Sequence, residues 1–481
     1  MLVRIIRHDL RLLAADKTLW IVAGIFLVLI AYGTFNGARF TAERAAIVKN
    51  YQERGDATLS NFRTEAAAYE SGARALPEPG AFAPVPNALM PIRKSVPATL
   101  PPASLASLAV GQSDIYPYSA TVDVFTVKQA LFNAYEQDNP LNLLAGRFDL
   151  AFVFVFLFPL LILALSYNLL SQEKESGTLL ITLSNAPLSL RRFLTGKVLT
   201  RLAVVLIFAI GLSLVGFVLS GVNFSDWETL LRLLLWILAV SVYAVFWFVL
   251  AILINAFGFS SAANATALAA IWILLVVVTP ALLHVVANAI YPVPSRVEFV
   301  SKQREADNYT QSTGEKLLAE YYGDHPELAP DGKSNLPEFA SRYFAVRLEL
   351  QRRILPEVER FDARLSAQQS LIGRFRVMSP AVVMQESLND IAGNSTERQK
   401  EFVNQLREFV DGWQEFFVPR VMRKELFRAA DYDQIPRFRF REERIEEIAA
   451  RVFGGVLLLV FPTGLIAGSA FWRLKRFPLV G

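Results

Sequence analysis

The sequence predicts a mainly α, polytopic membrane protein with six transmembrane helices and two extracytoplasmic insertions, α-rich with room for short strands. Three observations predict it. Of 481 residues, 53% are hydrophobic and 19% charged, and mean hydropathy is +0.35; a soluble chain of this size seldom reaches that value and a disordered one does not. The apolar residues are gathered into six runs of about the ~20 residues that cross ~30 Å of hydrocarbon. Two long polar stretches separate some of these runs. Cysteine is absent, which excludes a disulfide framework, a thiolate metal site and a cysteine nucleophile. Three scattered histidines (His8, His284, His325) suggest no metal site. A net charge of +4 fits basic flanks of membrane spans better than a nucleic-acid surface.

Residues 1–17 interleave Ile5, Ile6, Leu10, Leu12 and Leu13 with Arg4, Arg7 and Arg11, the pattern of an amphipathic helix lying in the membrane interface. Residues 18–36 form the first span. A cleaved signal peptide is the alternative, with Ala31-Tyr32-Gly33 as a loose cleavage site; the long preceding segment with Asp9 and Asp16 favours an uncleaved span. Residues 37–149 are the first polar stretch. A helix is expected from Phe40 to about Ala73. Eight prolines (77, 79, 84, 86, 91, 97, 101, 102) then impose an extended course over 76–102. Spans follow at 150–170, 202–220, 230–254 and 262–286. The second polar stretch, 291–448, reads as largely helical. Phe339, Tyr343, Val346, Leu350 and Ile354 make one apolar face, and Phe402, Leu406, Phe409, Trp413 and Phe416 another. Residues 449–472 are the sixth span and 473–481 a short tail.

Basic residues in short connections set orientation. Arg4, Arg7, Arg11, Lys17, Lys174, Arg191, Arg192, Lys197, Arg201, Arg473, Lys475 and Arg476 fall on one side, and the short loop 221–229 on the other holds Asp226 and Glu228 instead. Both termini are therefore expected in the cytoplasm and both long stretches outside it. Arg437, Arg439, Arg441 and Arg444 run against this bias, but in a long domain, where the rule is weaker.

The one sizeable cytoplasmic loop, 171–201, reads as a docking segment. Glu173, Lys174 and Glu175 bring charge to a membrane exit, and Gly177 permits a sharp turn. Leu179, Leu180 and Leu183 offer an apolar face, Pro187 breaks it, and Arg191, Arg192 and Lys197 prepare re-entry. The succession Glu173, Glu175, Gly177, Thr178, Leu179, then Pro187, then Gly196-Lys197 before a span resembles the permeases of type-2 ABC exporters. Asn139-Pro140-Leu141, Gly146-Arg147-Phe148-Asp149 and Ser379-Pro380-Ala381 look like elements of a bacterial branch with large outer domains.

That resemblance implies a permease subunit in the bacterial inner membrane. Two permease chains, identical or paralogous, would form the path, and two copies of a separate ABC ATP-binding subunit would receive the 173–187 region in a groove. ATP and Mg would belong to that partner, and this chain would bind no cofactor, metal or nucleic acid. Membrane lipid surrounds the spans, and a periplasmic protein is a further candidate partner. The chain has no P-loop of its own: Gly196-Lys197 is followed by Val198, and Arg191 stands where the first glycine is required. An alternative is mechanotransmission, in which ATP hydrolysis moves the outer domains against a periplasmic partner and nothing crosses the membrane. No hydrolase motif occurs. Glu442–Glu443 and Glu446–Glu447 read as a solvated helix face, and Arg232 and His284 as snorkelling residues at outer span ends.

Overall fold

The computed structural model describes residues 2–15, 17–75, 96–111, 113, 116–123, 126, 147–177, 190–293, 296–329, 339–423 and 427–475. It is α-rich, with a single two-stranded hairpin among the described residues. Among the described residues six helices are long and apolar enough to cross a membrane, which makes this a multi-pass membrane protein. The short amphipathic helix α1 (Leu2–Ala15) precedes α2 (Lys17–Glu70), a single helix of 54 residues. Its first part is the apolar first span, and its remainder is the helix expected from Phe40. The second span is α3 (residues 150–166), followed by the short α4 (Ser171–Glu175). Then come α5 (Leu190–Leu219), α6 (Trp227–Asn255) and α7 (Ser261–Ile290). The second polar stretch supplies α8 (Arg296–Ser312), α9 (Gly314–Asp324), α10 (Phe339–Phe375), α11 (Pro380–Ala392) and α12 (Thr396–Met422), and α13 (Ile445–Leu474) closes the set of spans. The third span's helix starts well before residue 202, so the re-entry residues of the 171–201 loop are already helical.

Helix α6 is the centre of the bundle. Trp236, Tyr243, Trp247 and Phe248 are fully buried on it, against Phe154 and Phe158 of α3 and Phe217 of α5. Two spans carry π turns, Val153–Leu157 in α3 and Ile273–Val278 in α7. Each is followed by a proline, Pro159 or Pro280, which has no N–H to give the preceding turn. The freed carbonyls find side chains from elsewhere. Tyr243 Oη donates to Val155 O at 2.8 Å. In α7, Thr279 N takes Leu274 O across the π turn, so the next bond would need the N–H that Pro280 lacks. Ser379 Oγ donates to Leu275 O instead, at 2.7 Å.

The two polar stretches share one core. Leu59 and Ala66 of α2 meet Phe402, Leu406, Val410, Trp413 and Phe417 of α12, together with the antiparallel pair β1 (Val96–Thr99) and β2 (Ser119–Val122). The expected apolar face of α12 is therefore core. The face on α10 is core too: Leu350, Ile354 and Val358 pack with Phe299 of α8. Of the proline-rich segment, 76–95 lies outside the described residues, as do Asn139-Pro140-Leu141 and Gly146; Pro97 sits in β1.

Helix α11 joins this domain to the bundle. It packs among α3, α6, α7 and α13. Arg232 at the start of α6 pairs with Glu228 at 2.6 Å and donates to Ile391 O at 2.6 Å. It is buried, not snorkelling, because the end of α11 presents a carbonyl to it. Arg451 of α13 bridges Asp390 (3.1 Å) and Glu443 (2.7 Å), and Arg398 holds Glu442 and the carbonyls of Gly393 and Pro101. Glu442 and Glu443 thus precede α13 as paired groups outside any helix, Glu442 still exposed to solvent and Glu443 largely covered. Gly393 caps α11 in the left-handed region (φ +74), and Asn394 Nδ2 donates to Ala106 O (3.0 Å) and Ala109 O (2.7 Å) of the first stretch. Asp149 caps α3 through Phe152 N and accepts from Val110 N, each at 2.7 Å.

Two predictions follow from these joints. A Cβ at Gly37 would lie 2.0 Å from Ser107 O, whereas one at Gly24 meets nothing within 4 Å. Gly37→Ala should cost about 1–3 kcal/mol, read as a lower melting temperature in detergent, with Gly24→Ala as the unaffected control. Burial pushes the Asp390 carboxyl up to about 6, against the charge and hydrogen bond of Arg451 and the hydroxyl of Ser395, and with the help of Glu443. A raised carboxyl contributes stability below its unfolded value, 3.8, and loses it as pH rises through the folded one. Melting temperature should fall as pH climbs through about 6, and less steeply in Asp390→Asn. An equal slope in that variant contradicts the assignment.

Candidate functional site

The candidate site is the end of the bundle that carries α4. A helix end leaves carbonyls without intrahelical partners, and within a membrane they cannot turn to water. At the end of α3 those carbonyls are taken by three other spans. Arg201 of α5 donates to Leu165 O and, at 3.0 Å, to Asn168 Oδ1. Asn255, the last residue of α6, donates to Ser166 O at 3.0 Å and accepts from Leu170 N at 3.2 Å. Asn264 of α7 donates to Tyr167 O at 3.2 Å. Lys197 of α5 donates to Leu169 O at 3.2 Å.

Helix α4 hangs from this network. Glu173 pairs with Lys197 at 2.6 Å, with side-chain exposures of 23% and 7%. An ammonium this buried needs its anion, and Glu173 is the carboxylate that reaches it. Glu175 turns to the start of α7: one carboxylate oxygen accepts from Ser261 N at 2.6 Å, the other from Ser261 Oγ at 2.9 Å. A carboxylate at a helix N-terminus satisfies an orphan N–H and complements the positive end of the dipole. Ser171 Oγ meets Ser261 Oγ at 2.8 Å, and Lys174 Nζ donates to Gly258 O at 3.3 Å. Gly177 follows at φ +68, and a Cβ there would meet nothing within 4 Å among the described residues.

Of the residues singled out in the sequence, Glu173, Glu175 and Lys197 come together here, Gly196 precedes Lys197 on α5, and Gly177 closes the turn after α4. Thr178, Leu179, Leu180, Leu183 and Pro187 lie outside the described residues. Sequence reasoning missed Asn255, Asn264 and Ser261, and read Arg201 only as a basic residue that sets orientation. A signal was available: Asn255 and Asn264 are amides just past one apolar run and inside the next, and both are almost fully buried. A polar side chain in a span has a partner to find. Among the described residues no group of three or more His, Cys, Asp or Glu could hold a metal.

The Glu173–Lys197 pair is open to a direct energetic test. Glu173→Gln strands a buried ammonium and should cost about 3–5 kcal/mol, measured by unfolding in detergent. Glu173→Gln combined with Lys197→Met should cost less than the sum of the singles, with a coupling of about 0.5–3 kcal/mol. Strict additivity would mean that the pair contributes nothing.

A family model described as a domain of unknown function (DUF3526) matches residues 296–441. The match covers the second polar stretch from α8 to just before α13 and does not reach the 171–201 segment. Comparison with curated proteins and with solved structures finds no match.

Proposed function

We propose that this chain is the membrane-spanning permease subunit of an ATP-driven ABC transporter, working in export, with ATP hydrolysed by a separate subunit docked on residues 171–201. The observation that carries the reading is the attachment of α4. Its two carboxylates and the turn that joins it to α3 are bonded to α5, α6 and α7 at once. A partner that pushed or pulled this short helix would load four spans together, which is what a coupling element must do. In this reading α4 and both termini face the cytoplasm of a bacterial inner membrane, and the shared polar domain faces the periplasm. Two ATPase copies bind ATP and Mg, and a second permease chain, identical or paralogous, completes the path.

A second reading is mechanotransmission without transport. It is favoured by α11, which ties the polar domain to four spans and grips both polar stretches. A bundle so firmly joined to its outer domain could deliver motion as its product.

The test is a mild-detergent pull-down of the tagged chain from its native membrane, with partners identified by mass spectrometry. Recovery of a Walker-motif ATPase is expected. Gly177→Trp should lose that partner while the chain still inserts, because it puts a bulky side chain at a left-handed turn where a Cβ meets no described atom within 4 Å. Glu175→Arg should lose the partner and also loosen the start of α7, since it removes the cap on Ser261. Wild-type recovery of the ATPase with both variants would sink the docking assignment. ATPase activity stimulated only by a periplasmic protein, with no accumulation in vesicles, would select the second reading.

A further inference from the structure

The polar domain does not stop at the membrane surface. The foot of α10 runs down beside the outer half of α7: Gln368 Nε2 donates to Asn288 Oδ1 (2.8 Å) and Tyr291 O (2.6 Å). Eleven residues later, Ser379 reaches Leu275 O. The chain then reverses through the turn Arg376–Met378, and α11 climbs back. The climb is legible along α13. Gly455 lies against Ser387 and Val383, and Arg451, one turn nearer the helix start, against Asp390. Helices α10 and α11 therefore form a hairpin whose tip is level with Leu275.

Leu275 lies midway along α7, which spans Ser261–Ile290. At 1.5 Å per residue, about 20 of those residues cross ~30 Å of hydrocarbon. Any such stretch chosen within α7 includes Leu275 and leaves it at least about 6 Å from either boundary. No ionisable residue occurs on α7 before His284, so nothing in its sequence brings water to that level. The hairpin tip is thus at hydrocarbon depth.

That tip is neither apolar nor electrically neutral. Arg376 pairs with Glu386 of α11 at 2.7 Å, and both side chains remain partly exposed, 33% and 41%. Arg374 is exposed and makes no ion pair among the described residues. The tip therefore carries one uncompensated positive charge. Beside it Phe375, Val377 and Met378 are exposed, at 48%, 43% and 54%, and so are Leu274 and Val278 on α7. A guanidinium at this depth is costly unless an anion meets it, and charges so placed mark sites of function. The arrangement presents a cation for an anionic headgroup and apolar surface for acyl chains.

We infer that the tip of the α10–α11 hairpin, through Arg374 and Arg376, is a binding site for the anionic headgroup of a membrane lipid. A zwitterionic headgroup brings its own cation and leaves the Arg374 charge unmatched. The inference needs only the membrane reading of the six spans. It stands or falls separately from the permease assignment.

The experiment is native mass spectrometry of the full chain, delipidated in detergent and titrated with phosphatidylglycerol or phosphatidylcholine. Wild type should favour phosphatidylglycerol by about tenfold. Arg374→Gln and Arg376→Gln should each lose most of that preference, and inorganic phosphate should not displace the lipid. Equal binding of the two lipids, an unchanged preference in Arg374→Gln, or displacement by inorganic phosphate would overturn the inference, the last by marking a site for soluble anions. Depth is tested independently. The chain has no cysteine, so Met378→Cys gives a single labelling position. A fluorophore there should be quenched more by lipids brominated on the acyl chain than by a headgroup quencher. The reverse order would place the tip at the surface and remove the basis of the site.

Discussion

Backbone carbonyls that cannot turn to water govern both ends of this bundle. At the α4 end the carbonyls of Leu165, Ser166, Tyr167 and Leu169 are met by Arg201, Asn255, Asn264 and Lys197. At the opposite end Ile391 O is met by Arg232. Midway along α3 and α7, where proline withholds an N–H, Tyr243 and Ser379 supply the missing donors. In each case the donor comes from a different helix, so satisfying the backbone fixes which helices touch. The apolar packing of Trp236, Trp247, Phe154 and Phe217 around α6 supplies most of the burial, but apolar surfaces alone do not select one register against lipid, which is as apolar as they are.

The same constraint explains why two polar stretches separated by four spans form one domain. The described part of the first stretch is one long helix and a pair of short antiparallel strands, and its buried side chains pack against the second stretch. Helix α12 provides the missing layer, with Phe402, Leu406, Trp413 and Phe417 against α2 and β1–β2. Charged side chains then seal the seam: Arg398 spans from Glu442 to Pro101 O, and Asn394 holds Ala106 and Ala109. Because α11 carries Gly393 and Asn394 at one end and Ser379 at the other, one short helix fixes the domain to the bundle at two depths.

Much of this was legible in the sequence. Six apolar runs gave six spans, because length and hydropathy are local properties. The faces on α10 and α12 were legible as helical periodicity, and they are buried as that pattern requires. What escaped was whatever depends on a partner distant in sequence. Arg232 read as a snorkelling side chain because nothing nearby in sequence announces Ile391. The pairing of Glu442 and Glu443 was not legible because their cations are Arg398 and Arg451, and of the two only Glu443 is covered. Helix α11, at 13 residues, is too short to register as a span, so its place among the spans had no hydropathy signal. In the candidate site Glu173, Glu175 and Lys197 were found by pattern, while Asn255, just past the fourth apolar run, and Asn264, inside the fifth, carried no pattern and were not singled out, though they hold the turn before α4.

Helix α6 links the two regions. Asn255 at its end belongs to the network around α4, and Arg232 near its start is bonded to the end of α11. The two positions are about 35 Å apart along a continuous helix at 1.5 Å per residue. Its middle is held by Tyr243 on Val155 O and by three buried aromatic rings. A helix pinned at both ends and packed between them deforms less readily than it translates or tilts as a body. A load applied to α4 would therefore reach α11 by moving α6, and with it the polar domain that α11 carries. The competing route through α7 has few packed side chains: within its most apolar stretch only 6% of residues are buried in the chain. In both functional readings the difference lies in what the domain does with that motion, since the mechanical path from α4 to α11 is the same.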